Sequence, residues 1–266
     1  MIVNLRRVKF FLWLLVNNFF WKLKIFFFKI IFYKNTDIYK ILSDFYQNGY
    51  CVNHKTFNEN EINYLIEQCE LELLKFNSEK YLKENLDRIE NKPGAIKIKH
   101  INKKNSFISN FVKIKLFHIL NLIINFRLAE PTIIYNITHD GSINNKLFAG
   151  YSKNQLAWQV HIDGYKHDLK ALIALEDINL ENGPTAILSN SNFKFNLFNN
   201  YFNIYYLKKF NIKLGPTTII ESTKDNMNKY NKIILKKGSC LFFDSRSLHY
   251  ASSLMSGKRK ILWLYF

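Results

Sequence analysis

Pro131 divides the chain into two halves with different side-chain rhythms, and the second half constrains the fold most. After it come short runs rich in β-branched and aromatic residues: Thr132–Thr138, Leu156–Ile162, Leu169–Leu175, Thr185–Leu188, Lys232–Leu235, Ser239–Phe243 and Ile261–Phe266. Gly, Asn, Asp and Pro separate them, and runs this short suit strands better than helices. Before Pro131 the spacing is helical. Thr36–Gln47 predicts a helix closed by Asn48-Gly49, with Tyr50–Val52 as a strand beyond it. Asn58 with Glu61 three residues on forms a capping box, and Ile62, Leu65, Ile66, Cys69 and Leu73 mark one helical face to about Phe76. Residues 77–105, polar and lysine-rich around Pro93-Gly94, read as a loop, and Phe111–Arg127 as a helix. A helical front and an all-β back predict an α+β chain with a mostly β core, a barrel or jelly roll with helices packed outside. No internal repeat is present.

A chain of 266 residues suffices for one large domain, and a hydrophobic content of 48% excludes global disorder. The net charge of +17 suggests nucleic acid, but only six of the 38 basic residues are Arg. Nucleic-acid readers favour the bidentate fork of Arg. Lys, Asn, Ile and Phe are abundant together, as an AT-rich coding sequence produces whatever the function. The charge is therefore read as background. Three scattered cysteines, Cys51, Cys69 and Cys240, lack any CxxC spacing and fit a reducing cytoplasm. Cys240, in an apolar run, is expected to be a buried small hydrophobe.

Residues 1–34 stand apart from the 35–266 domain. They carry seven Lys/Arg and no acid, with eight of the 24 Phe and two of the four Trp. Their longest unbroken apolar run, Phe10 to Val16, is seven residues, where a bilayer span takes about 20. Basic residues precede that run as in a signal peptide, yet no small-x-small cleavage site follows. The pattern fits an interfacial helix, with lysines toward anionic headgroups and Phe and Trp in the acyl boundary. That would make the protein cytoplasmic and peripheral on the inner face of a membrane. A helix packed on the domain's own surface is the alternative.

The chemistry-bearing residues lie in the β half. His161-Ile162-Asp163 on a strand points His161 and Asp163 to one face. His249 comes 86 residues after Asp163, and Arg259 ten residues after that. Two imidazoles and one carboxylate on one side of a metal make the 2-His-1-carboxylate set of Fe(II) oxygenases, which leaves positions open for a substrate and O₂. Arg259 adds a fixed cation able to grip a carboxylate through two N–H groups. Alone, an HxD pair is weak, and a satisfied histidine is its ordinary explanation. Gly164 after Asp163, the buried run Gly238–Asp244 before His249, and Arg259 at the start of the last strand give it weight.

Longer stretches carry a resemblance. Trp158-Gln-Val-His161-Ile-Asp163, Leu175-Glu-Asp-Ile-Asn-Leu-Glu-Asn182-Gly183-Pro184 and Gly238 through His249 resemble motifs of the phytanoyl-CoA dioxygenase-like family of Fe(II)/2-oxoglutarate oxygenases. Phe45-Tyr-Gln-Asn-Gly49-Tyr50-Cys-Val52 and the capped helix after Asn58 are similar to the family's opening, so the likeness spans about 38–266. It implies a double-stranded β-helix, a cupin-like jelly roll with flanking helices mainly from the N-terminal half. It further implies Fe(II) on His161, Asp163 and His249, the distal carboxylate of 2-oxoglutarate on Arg259, and O₂ as oxidant. The presence of Asp163 points to hydroxylation, because related halogenases free that position for halide. The chain departs from the family where Leu188-Ser-Asn-Ser-Asn192 replaces a Pro-Gly-Ser-His run near the substrate mouth, at Ser239 in place of Asp, and at Ala251.

The expected substrate is a small molecule or a lipid- or carbohydrate-linked one. Two alternatives stand beside this: a catalytically silent barrel serving as a binding module, and nucleic-acid demethylation by the same chemistry. Other charged residues have plainer readings. His139-Asp140 and His167-Asp168 read as solvated turn residues, and Lys166 and Lys170 as solvent-facing. Asp244 and Arg246 either support the His249 ligand or end a strand, and Asn136 and Gln155 either touch the cosubstrate or pack in the barrel.

Overall fold

A computed structural model describes residues 36–54, 56–92, 94–124, 131–139, 160–163, 169–194, 218–219 and 228–266, with seven isolated positions between 12 and 27. The helical front is α1 (Thr36–Asn48), α2 (Glu59–Lys75), α3 (Glu79–Glu84), α4 (Ile101–Lys104) and α5 (Ser106–Ile124). A short α6 (Ser191–Lys194) lies in the β half. The strands are β1 (Tyr50–Asn53), β2 (Ile89–Lys92), β3 (Ala95–Ile98), β4 (Thr132–His139), β5 (His161–Ile162), β6 (Leu169–Ala174), β7 (Thr185–Ile187), β8 (Thr218–Ile219), β9 (Asn231–Lys232), β10 (Cys240–Asp244), β11 (His249–Ala251) and β12 (Lys258–Tyr265).

These strands form two antiparallel sheets, ordered β1-β10-β6-β12-β4-β3-β2 and β8-β5-β11-β7-β9. This is the expected jelly roll. Its larger sheet is covered on both faces, which explains why its central strands read as nearly continuous apolar runs. Ala171, Ile173, Cys240, Phe242, Leu262 and Leu264 turn toward the helices and meet Phe45, Ile62, Leu65, Cys69 and Phe76. Their neighbours Leu172, Ala174, Leu241, Phe243 and Ile261 turn the other way and meet Ile187, Ile233 and Leu235 inside the barrel. Period-2 alternation thus survives as two apolar sets on opposite faces. Cys240 is fully buried, as expected.

The helix caps follow the sequence closely. Asn58 accepts from the Glu61 amide and Glu61 reaches back to the Asn58 amide, both at 2.9 Å. Gly49 ends α1 at φ +81°, a conformation that suits glycine. It has a second reason to be glycine: an added Cβ would lie 2.5 Å from Ser247 Oγ. The Gly49 carbonyl accepts from the Asp244 amide at 2.9 Å and from Ser247 Oγ at 3.2 Å. The front half thereby touches the turn that leads to His249.

One stretch corrects the sequence reading. Residues 77–105 are not a loop but carry α3, the β2–β3 hairpin and α4. Ser78 caps α3, and Gly94, at φ +75°, turns the hairpin. β3 buries Ala95, Ile96 and Ile98 and pairs with β4, extending the large sheet. Its strand pattern is short, carries Lys97 and is followed at once by Lys99, so charge masked it. His139 is a second correction: it ends β4, is 1% exposed, and its amide donates to the Gly94 carbonyl at 3.0 Å. Residues 156–159 of the expected strand and His167-Asp168 lie outside the described residues.

Candidate active site

The smaller sheet brings the first two site residues together by register. β11 lies between β5 and β7, and His249 is the cross-strand partner of His161. Their rings lie 4.3 Å apart at centroids. Asp163 follows β5, and its amide donates to the Ser245 carbonyl at 3.0 Å. The turn between β10 and β11 therefore carries His249 and pins Asp163. His249 Nε2 is 3.0 Å from Asp163 Oδ2, and His161 Nε2 is 3.8 Å from Asp163 Oδ1. One ligand atom from each of the three falls within 4.8 Å of the others, a set suited to one metal ion. His249 Nδ1 lies 2.8 Å from the Ser247 carbonyl. A carbonyl only accepts, so Nδ1 carries the proton and Nε2 is the nitrogen left for a cation.

The turn itself is held by residues whose role the sequence left open. Asn192 Nδ2 donates to Asp244 Oδ2 at 3.1 Å, and Arg246 Nη2 donates to the Asn192 carbonyl at 2.9 Å. The Arg246 amide donates to Asp244 Oδ1, and the Leu248 amide to Ser191 Oγ. Ser191 and Asn192 are buried. The stretch that departs from the family motif is thus knitted into the turn that presents His249. Asp244 and Arg246 support that turn.

Arg259 enters from the larger sheet. It sits near the start of β12, is 7% exposed, and pairs in register with Thr138. Its Nη1 donates to the Gly183 carbonyl, and Nη2 lies 3.5 Å from Thr138 Oγ1, which in turn donates to Asn136 Oδ1 at 3.0 Å. Its Nε is buried without a hydrogen-bond partner. No carboxylate among the described residues pairs with the guanidinium, and burial pulls its pKa down to about 10. A buried cation with no anion is costly, so the arrangement fits an anionic ligand. Thr138 was not singled out by sequence; its signal is its place opposite Arg259.

Lys170 is the largest correction. It does not face solvent: it is 6% exposed and its ammonium bonds Asp163 Oδ2. It lies over the rings of Tyr265, Trp263 and Phe243 at 4.4, 5.0 and 5.7 Å from their centroids. Burial opposes the charge of Asp163, but the Lys170 ammonium and the His249 imidazole hold its carboxyl well below the usual carboxylate range. Burial likewise opposes the ammonium, yet Tyr265 and Asp163 keep Lys170 above the ordinary lysine value. Lys166 and Gln155 lie outside the described residues.

The family model for phytanoyl-CoA dioxygenase (PhyH) matches residues 45–261, a span that includes His161, Asp163, His249 and Arg259. The chain belongs to the phytanoyl-CoA dioxygenase family. It is by that membership an Fe(II)- and 2-oxoglutarate-dependent enzyme of the oxygenase type, with O₂ as oxidant. Among solved structures it resembles the epimerase SnoN in complex with Fe³⁺, alpha ketoglutarate and nogalamycin RO, with TM-score 0.57 and 11% identity, covering 86% of this chain and 83% of that one. EctD from S. alaskensis with bound Fe gives TM-score 0.58 and 14% identity, covering 84% and 74%. HygX from Streptomyces hygroscopicus with nickel, 2-oxoglutarate and hygromycin B gives 0.51 and 13%, covering 85% of each. At such identities these likenesses speak for the jelly roll. No curated protein matches the chain at a significant level. Both cofactors fit the residues present: three clustered donor atoms suit a divalent cation, and Arg259, buried with no carboxylate partner among the described residues, suits a carboxylate.

Proposed function

We propose that residues 35–266 act as one catalytic domain that hydroxylates a small-molecule or lipid- or carbohydrate-linked substrate. His161, Asp163 and His249 hold Fe(II), and Arg259 holds the distal carboxylate of 2-oxoglutarate. The observation that carries this is the pairing of a three-donor cluster with a buried guanidinium lacking any carboxylate among the described residues. Bound iron with 2-oxoglutarate supplies oxidative decarboxylation: substrate C–H, 2-oxoglutarate and O₂ become substrate C–OH, succinate and CO₂. The chain's own part is geometric. The Ser247 carbonyl fixes the tautomer and ring angle of His249, and Thr138 and the Gly183 carbonyl aim Arg259. The silent-barrel alternative predicts no succinate at all.

Arg259→Met should raise the KM for 2-oxoglutarate on the order of 30-fold, near the 2 kcal/mol expected for a lost charge-assisted pair. Uncoupled succinate formation against 2-oxoglutarate concentration measures it. An unchanged KM would remove Arg259 from the cosubstrate site.

The N-terminal segment enters the same reading. Leu12, Val16, Phe19, Phe20, Leu23, Phe26 and Phe27 are helical and between 39% and 63% exposed. Their spacing places them along one face. Among the described residues no helix is long and apolar enough to cross a membrane. We infer that this face, on a segment with seven basic residues and no acid, lies on an anionic membrane surface. The full chain should co-sediment with phosphatidylserine-containing liposomes, and a chain lacking residues 1–34 should not. Equal partition of the two would end the idea.

A further inference from the structure

The Asp163 carboxylate is largely enclosed, and the chain itself provides a counter-charge for it. Asp163 is flanked by two imidazoles, and its Oδ2 is taken by the ammonium of Lys170, seven residues on and in the other sheet. Lys170 is locked where it is. It is the second residue of β6, whose register sets it across from Phe243 of β10 and Tyr265 of β12. Its side chain shares the inward face with Leu172 and Ala174, which pack in the barrel interior. The rings of Tyr265, Trp263 and Phe243 surround the ammonium, and ring faces attract a desolvated cation.

We propose that Lys170 is a resident counter-cation of the metal site: it neutralises Asp163 before metal arrives and weakens the metal's hold afterward. This rests on Asp163 being a metal ligand, as proposed above. A divalent ion that takes Asp163 must share that carboxylate with the ammonium already bonded to it. The ammonium cannot withdraw to water, because it is buried. It has reason to stay, because Tyr265 and the ring faces remain as partners when Asp163 turns to the metal. Like charges held close in a low-dielectric site repel strongly. The positive charge of Lys170 is therefore subtracted from the affinity that the three donors would otherwise give. The effect keeps the metal-free site folded and ion-paired, and it sets metal binding weaker than in the same triad without a lysine.

Mn(II) binding to the full chain, read by calorimetry in the absence of 2-oxoglutarate, tests this with three variants. Wild type should bind and Asp163→Ala should lose binding by at least a hundredfold. Lys170→Met should bind Mn(II) at least tenfold tighter than wild type, and Lys170→Arg, which keeps the charge, should stay within threefold of it. The Mn(II)-induced rise in Tm should be larger for Lys170→Met, because its metal-free form loses the counter-charge. If Lys170→Met does not fold, Lys170→Gln is read instead; its amide still donates to Asp163 without the charge. Equal or weaker Mn(II) binding in the neutral variant overturns the counter-cation role while leaving the ligands in place. Failure of wild type to bind, or binding unchanged in Asp163→Ala, overturns the ligand assignment itself.

Discussion

Asp163→Ala should fold and yet form almost no succinate, a loss on the order of a thousandfold, equivalent to about 4 kcal/mol of transition-state stabilisation. Asp163 is the single carboxylate of the donor cluster and lies 3.0 Å from His249 Nε2. Removing it leaves two imidazoles, too few donors to hold a divalent ion in an open site. It also leaves Lys170 buried without its carboxylate, so the variant should lose stability as well as activity. Asp163→Asn separates the two effects. Its amide oxygen can still accept from Lys170, so stability should largely return while succinate formation stays low. Quantifying succinate beside a thermal melt distinguishes them. Activity within tenfold of wild type in either variant would remove Asp163 from the metal site.

Phe242→Ala should cost about 3–5 kcal/mol, the range for emptying a fully buried aromatic site. Phe242 is 0% exposed at the centre of β10, where it joins the larger sheet to the helices and pairs in register with Cys51 and Ala171. The cavity would open beneath the strand whose end carries the His249 turn. For a chain of this size each kcal/mol moves Tm by roughly 2–4 °C, so the melt should fall on the order of 10 °C. Met255→Ala, at 76% exposure, is the matched control and should change stability by less than about 0.5 kcal/mol. A shift in Phe242→Ala no larger than the control's would mean that the helix–sheet interface does not hold the barrel.

The jelly roll was legible because strand runs between Gly, Asn and Pro turns carry their own length and composition. The capping box at Asn58 and the left-handed glycine at Gly49 were legible for the same local reason. The clustering of His161, Asp163 and His249 was legible because the HxD spacing turns two side chains to one side and His249 follows a recognisable buried run. The β2–β3 hairpin was not, because charged Glu90, Lys92 and Lys97 fall within its four-residue strands. Lys170 was missed for a subtler reason. In Leu169–Ala174 every residue is buried, so apolar neighbours lie on both faces and the alternation does not mark which face holds the site. In a chain with 32 lysines, one more charge reads as surface. Its interior place emerges only from its partners on other strands: Asp163, Phe243, Trp263 and Tyr265.

The most direct test of the iron and 2-oxoglutarate site is optical. The purified protein, given Fe(II) and 2-oxoglutarate without oxygen, should develop the weak visible metal-to-ligand charge-transfer band of the chelated keto acid. The band should vanish on admitting O₂ with formation of succinate, and it should be missing in His249→Ala. Folded protein that shows neither band nor succinate, or a His249→Ala variant that keeps both, would contradict the assignment.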